Sequence, residues 1–383
     1  MPPDLGAVRA QLPALAAETY LNTGGAGPLP RVAAEAMAEA AHRDAALGRM
    51  SMAAWAQSDA LMTAARAAAG RVLGAPAEDM ALVMNTSVGM NIAIWGIHWR
   101  PGDHIVCTGL EHPGLSVPVA TIARRLHLQV DWVDAEAAHT DLEGAVARLV
   151  RPTTRLVGLS HVAWSTGAVL DVAGAARAAH RVGAVCAVDA AQSAGAIPCD
   201  PAALGVDAYA VPGQKWLLGP EGVGALWVSP EARERIDLSH TGFDAGTGHT
   251  PAGAVALHPG TRRYETSTMP MVCLAGWVAA LDWMEGLGWD WIHRRTAEVH
   301  AMARRALEGI DGVEIITPPG PQAGLLSFDV PGIDAEAACV AMAARGVICR
   351  WLPSPRVLRA SLGFFSNEDD IDALARAVAD LRS

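Results

Sequence analysis

Short, uninterrupted apolar runs recur through the first two thirds of the chain, at residues 80–84, 104–108, 129–133, 155–160, 185–188, 208–211 and 224–228. Their length and lack of polar alternation predict strands buried on both faces. Between them lie Ala-rich stretches such as residues 171–182, which read as helices. Strand and helix alternating in this way predict an α/β fold built on a mostly parallel sheet. Beyond Val272 the pattern changes. Long helices over roughly 272–310 lead into strands at 313–316, 324–330 and 347–350, with a helix from Asp334 between the last two. A closing helix is expected near Glu368, with Asn367 as its N-cap. The expected division is a large unit over 16–270 and a smaller α+β unit over 271–383 together with residues 1–15. Residues 238–262, rich in Gly, Thr and His, read as a long excursion beside an active site.

Composition narrows the function. A chain of 383 residues that is 51% hydrophobic and 18% charged can bury a sizeable core, which excludes a disordered chain. The net charge of −11 argues against nucleic acid and against an anionic membrane surface. The six cysteines stand singly, without a CxxC pair, so neither a zinc ribbon nor a disulfide framework is suggested and no metal ligands are assigned. Free thiols point to a reducing compartment. No secretory pattern is seen at the N-terminus, and no apolar stretch is long enough to span a bilayer. A cytoplasmic protein is the expectation.

One count changes the picture most. Of the 29 basic residues, all but Lys215 are arginine. Coding bias explains the scarcity of lysine but not the placement of the survivor. Arginine replaces lysine wherever only charge matters, but its guanidinium stays protonated and cannot attack a carbonyl. A sole lysine is therefore a candidate amine nucleophile. Other polar groups converge with it at the carboxyl ends of predicted strands, where open parallel sheets bind ligands. Thr86 and Ser87 follow the first strand, His112 the second, and Asp189 and Gln192 the fifth, while Lys215 lies just beyond the sixth.

Pyridoxal phosphate matches this set group by group. Its aldehyde requires an amine, which Lys215 supplies, and Gly213 and Gly219 would let the backbone turn sharply there. Its phosphate suits the hydroxyls of Thr86 and Ser87 at a helix N-terminus, although plain helix capping is the alternative. Its pyridine nitrogen requires a fixed carboxylate, and Asp189 fits. Gln192 could donate to the phenolic oxygen, and His112 could lie flat on the ring.

At these residues the chain resembles the class-V aminotransferase branch of fold-type-I pyridoxal-phosphate enzymes, which includes cysteine desulfurases and cyst(e)ine C–S lyases. The segments carrying the likeness are TYLNTGGAGPLP, SHVAWSTGAVL, VDAAQSAG, GQKWLLGPEGVGALW, RRYETST and RASLGFFSNEDDIDAL. The resemblance implies a large domain with a mostly parallel seven-stranded sheet and a smaller α+β C-terminal domain. It makes Lys215 the cofactor-holding lysine, Asp189 the partner of the pyridine nitrogen, Gln192 the phenolic-oxygen contact and His112 the stacking residue. Thr86 and Ser87 resemble phosphate ligands. Thr268 resembles the threonine that reaches the neighbouring subunit's phosphate, which implies a homodimer. Arg359, and with it Arg350, resembles the arginines that grip the substrate carboxylate.

Departures from the desulfurases bear on function. Pro212 and Gln214 stand where those enzymes usually carry a hydroxyl residue and a histidine beside the lysine, so Gln214 takes a place at the cofactor without the usual chemistry. Trp164 stands where they carry an asparagine. The interval between Arg350 and Arg359 is WLPSPRVL, too short for a mobile loop and without the cysteine that would take up sulfur. That interval resembles the C–S lyases. The expected function is β-elimination at the C–S bond of cyst(e)ine or a related S-substituted cysteine. A cysteine desulfurase or an isopenicillin-N-epimerase-like activity is the alternative, and a transaminase is less favoured.

Overall fold

The computed structural model describes residues 2–250, 252–253 and 255–382. Seven strands form the central sheet: β1 (Met80–Val83), β2 (His104–Thr108), β3 (Gln129–Val133), β4 (Thr154–Ser160), β5 (Val185–Asp189), β6 (Ala208–Pro212) and β7 (Gly224–Val228). Their spatial order is β1-β7-β6-β5-β4-β2-β3. Only β7 runs against the others. The apolar runs are continuous because both faces are covered. Along β5, Cys186 and Val188 enter one core while Val185 and Ala187 enter the other. A single face-specific pattern would have left one side wet. The helices Arg31–Leu47 and Met52–Leu73 pack against the helix Met271–Leu287.

The C-terminal part builds a second, antiparallel sheet from β8 (Glu314–Ile315), β9 (Leu325–Asp329), β10 (Arg350–Pro353) and β11 (Arg356–Ser361), in the order β8-β9-β11-β10. The helices Trp289–Glu308, Ala335–Ala343 and Glu368–Ala379 contribute to its core. Asn367 caps the last of these in a capping box with Asp370. The N-terminal segment returns to this sheet. Thr19–Tyr20 pairs in parallel with Val347–Ile348, and Asn22 bridges to Ser361. That return carries the glycine-rich stretch after Asn22 across the ends of the central strands.

Two expectations change here. The excursion 238–262 contains a small antiparallel hairpin, Gly246–Thr247 with Ala256–Leu257, and none of its described residues reaches the cavity at the strand ends. Gly213 and Gly219 do not turn the chain through left-handed conformations. They are small because neighbours pack tightly against both: an added Cβ would lie 2.6 Å from Val223 Cγ2 at Gly213 and 2.4 Å from Trp277 Cδ1 at Gly219. Leu218, at φ 50°, takes the left-handed position in that turn.

Candidate active site

A cavity of about 370 Å³ opens where the central strands end, large enough for a cofactor-sized molecule. It is lined by Thr86, Ser87, His112, Asp189, Gln192, Gln214, Lys215, Arg350 and Arg359. These are the residues singled out from the sequence, with one exception. Thr268 is exposed, sits at φ 54° and does not line this cavity.

At the phosphate end, Asn85 and not a hydroxyl residue caps the helix Thr86–Trp95: its side chain accepts the Val88 N–H at 3.0 Å. The first helical turn therefore keeps Thr86 and Ser87 out of capping duty. Thr86 Oγ1 is buried without a partner. A buried hydroxyl left alone is costly, and an anion at this helix start would use it.

At the other end, Asp189 closes β5 and is buried; its Oδ1 accepts the Ala191 N–H at 2.9 Å. Burial raises its pKa, opposed by Lys215 and that N–H. Burial pushes the Lys215 amine down to about 8, against the pull of Asp189 and with help from Arg359 and Arg350. A lysine so tuned supplies neutral amine near physiological pH. Gln192 is largely committed. Its amide nitrogen donates to Gly24 O at 2.9 Å, and its oxygen accepts from Trp216 Nε1 at 2.8 Å. One amide hydrogen remains for a ligand. Gln214 Oε1 is buried without a partner.

His112 caps the helix Pro113–Leu126, its Nδ1 accepting the Gly114 N–H at 2.9 Å. Trp164 meets its ring edge-on, with centroids 4.9 Å apart. Burial, then Lys215, Arg350 and Arg359, push His112 down to about 4, so its ring is neutral. Arg359 is 1% exposed, yet it donates only from Nη1, to Trp164 O at 2.8 Å; Nε and Nη2 have no partner. Burial and Arg350 both lower its pKa. Such a guanidinium awaits an anion. Arg350 is its cross-strand neighbour in the hairpin of β10 and β11.

The N-terminal glycines were not read from the sequence, and Glu111, visible there only as a polar neighbour of His112 at a strand end, takes on a definite place. Gly24 and Gly25 line the cavity from the N-terminal segment, far from every other site residue in sequence. The segment fits because Gly27 crosses the lysine-bearing turn closely: its N–H donates to Gln214 O at 2.7 Å, and a Cβ there would lie 2.3 Å from Lys215 O. Glu111, beside His112, is buried and accepts from Thr108 Oγ1 and from Ser160 Oγ, the latter at 2.6 Å. It pins the turn carrying His112 to the ends of β2 and β4. Burial drives its pKa up to about 7 against those two hydrogen bonds.

This has a measurable consequence. The folded state holds the Glu111 proton more tightly than the unfolded chain, so stability falls as pH rises from the unfolded carboxylate range through about 7. Glu111→Gln should be more stable than the parent by up to about 3 kcal/mol at pH 8. The gap should shrink toward pH 5. Urea midpoints at the two pH values check this, and a gap that does not change with pH contradicts it.

The family model for aminotransferase class-V matches residues 19–374. The chain belongs to the class-V aminotransferases. It is an enzyme of that family, with the fold-type-I architecture. Among solved structures, the cystine C–S lyase C-DES in complex with its reaction product cysteine persulfide superposes with a TM-score of 0.92 and 31% identity, covering 97% of this chain and 99% of that one. A lysine-to-alanine mutant of C-DES, with glycine covalently linked to its PLP cofactor, superposes with a TM-score of 0.93 at 31% identity over 99% of both chains. A probable cysteine desulfurase of Methanothermobacter thermautotrophicus is 28% identical over 98% of this chain and 97% of its own length. An isopenicillin N epimerase of Streptomyces clavuligerus is 29% identical over 94% of this chain and 93% of its own.

Proposed function

We propose that this class-V enzyme is a pyridoxal-phosphate-dependent lyase that cleaves the C–S bond of cystine or a related S-substituted cysteine. Pyridoxal phosphate fits the residues present. The unpartnered Thr86 hydroxyl and the helix start suit its phosphate, Asp189 its pyridine nitrogen, and Lys215 its aldehyde. Gln192, Gln214 and His112 complete its surroundings. When bound, the cofactor supplies an electron sink conjugated to the substrate's amino group.

The chain's own residues then divide the work. Arg359, with two donors unused, holds the α-carboxylate, and Arg350 adds charge beside it. Asp189 keeps the pyridine nitrogen protonated. Lys215, whose neutral amine is made more accessible by burial, takes the Cα proton as general base. The Cβ–S bond breaks, with the electron pair leaving on sulfur. The proton now on Lys215 returns to that sulfur, since neutral His112 has none to spare. From cystine the products are cysteine persulfide and aminoacrylate, and water hydrolyses the released aminoacrylate to pyruvate and ammonia. On this reading residues 16–270 form the large cofactor-binding unit and 271–383 with 1–15 the small one. The assembly is a cytoplasmic homodimer in which Thr268, exposed and not lining its own cavity, serves the partner's cofactor.

The observation that carries elimination over sulfur transfer is the hairpin of β10 and β11. It joins Arg350 to Arg359 by a tight turn and leaves no loop to bring in a thiol. Among the described residues no cysteine lines the cavity. Burial pushes up the thiols of Cys107, Cys186, Cys199 and Cys273, and Cys339 together with burial does the same to Cys349. Cys339, pushed down to about 7 chiefly by Cys349, lies on the helix Ala335–Ala343 outside the cavity. A desulfurase would need a transferring thiolate here. Epimerisation, the second reading, shares the Cα deprotonation and draws on the epimerase relative. Incubation with cystine, cysteine and cysteine sulfoxides, assayed for pyruvate, alanine and inverted amino acid, separates the three. Pyruvate supports the lyase. Alanine without pyruvate, or inversion alone, overturns it.

A further inference from the structure

Outside the cavity the most demanding polar arrangement is the pair Arg66–Glu265. Arg66 Nε and Nη2 donate to Glu265 Oε1 and Oε2, each at 2.8 Å. The residues are 6% and 2% exposed. Glu265 Oε1 also accepts the Leu82 N–H of β1 at 2.8 Å. Burying two charges is expensive, and well-packed apolar residues often serve stability as well or better. What such a pair supplies is a fixed position. It ties the helix Met52–Leu73, strand β1 and the segment after Tyr264 to one point.

That segment is Thr266, Ser267 and Thr268. Thr266 O is held by the Asp244 N–H at 2.8 Å, and the next helix starts after Pro270. Between those supports Thr268 projects, exposed, in a left-handed conformation that a β-branched residue adopts only under constraint. We propose that the Arg66–Glu265 clamp is a positioning device for Thr268, and that its effect is felt at the partner's cofactor site and not at its own. This rests on the reading that Thr268 acts across a homodimer.

The test uses two differently tagged full-length chains, purified as heterodimers and stripped of cofactor. One chain carries Glu265→Gln with Arg66→Met. That pair keeps an acceptor for Leu82 and avoids the uncompensated buried charge that either single substitution would leave. The other chain carries Lys215→Ala. Pyridoxal phosphate is titrated in and trapped with borohydride, and the label is counted on the peptide that contains Lys215. The clamp-variant homodimer should need roughly tenfold or more cofactor for half-saturation, the loss expected for one charge-assisted hydrogen bond. In the heterodimer the sole Lys215 site faces an intact clamp, so it should load at the parent's concentration. A heterodimer as weak as the variant homodimer, or a variant homodimer that loads like the parent, overturns the inference. A parallel heterodimer with Thr268→Val in place of the clamp variant tests the underlying reading. If Thr268→Val is restored by mixing and the clamp variant is not, only the inference fails. If neither is restored, or the parent runs as a monomer in gel filtration, the trans-acting threonine itself is wrong.

Discussion

Lys215→Ala is expected to reduce turnover of cystine by at least about 10⁴-fold while leaving the fold intact, because it removes both the cofactor-holding amine and the general base at Cα. Lys215→Arg should be as inactive, since a guanidinium cannot shed its proton near neutral pH. Neither variant should retain the visible absorbance of the cofactor-loaded parent after gel filtration, and far-ultraviolet circular dichroism should be unchanged. The lone lysine makes the experiment unusually clean, because no second side-chain amine can substitute. Residual turnover within a hundredfold of the parent would remove Lys215 from the chemistry.

Arg359→Met should separate activity from stability. The guanidinium is buried with Nε and Nη2 unpaired and Arg350 beside it, so the cofactor-free protein carries it at a cost. Methionine of similar length removes that cost. The cofactor-free variant should melt at or above the parent's temperature. Its kcat/KM should nevertheless fall on the order of 100- to 1,000-fold, the loss of two charge-assisted hydrogen bonds to the α-carboxylate. Losing a neighbouring positive charge also favours the Lys215 ammonium, so the acid limb of cofactor loading, where that amine gains its proton, should move to higher pH. The test is scanning calorimetry of stripped protein beside steady-state kinetics. A variant that is both unstable and impaired would make Arg359 a structural residue; one with unchanged kcat/KM would remove it from substrate binding.

The parts of this site legible in the sequence share one physical property: they sit at the ends of apolar runs. β2, β5 and β6 are continuous because both faces are buried, so their ends are sharp, and His112, Asp189 and Lys215 follow directly. The same logic led to Thr86 and Ser87, but the sequence could not distinguish a cap from a ligand. The structure gives capping to Asn85 and leaves the Thr86 hydroxyl alone. What the sequence hid depends on chain crossings. Gly24 and Gly25 enter the cavity because Asn22 bridges to Ser361 more than three hundred positions away. The Arg66–Glu265 clamp joins residues 199 positions apart, with no local pattern to announce it. The excursion 238–262 read as lying beside an active site from its Gly, Thr and His content. Composition cannot tell a loop facing its own cavity from one turned outward, and its described residues stay outside.

The most direct test of the account is borohydride trapping of the loaded enzyme followed by peptide mass mapping. The account predicts one pyridoxyl-phosphate group per chain, carried on the peptide that contains Lys215. A protein that takes up no cofactor, or carries it only on the N-terminal amine, would contradict it.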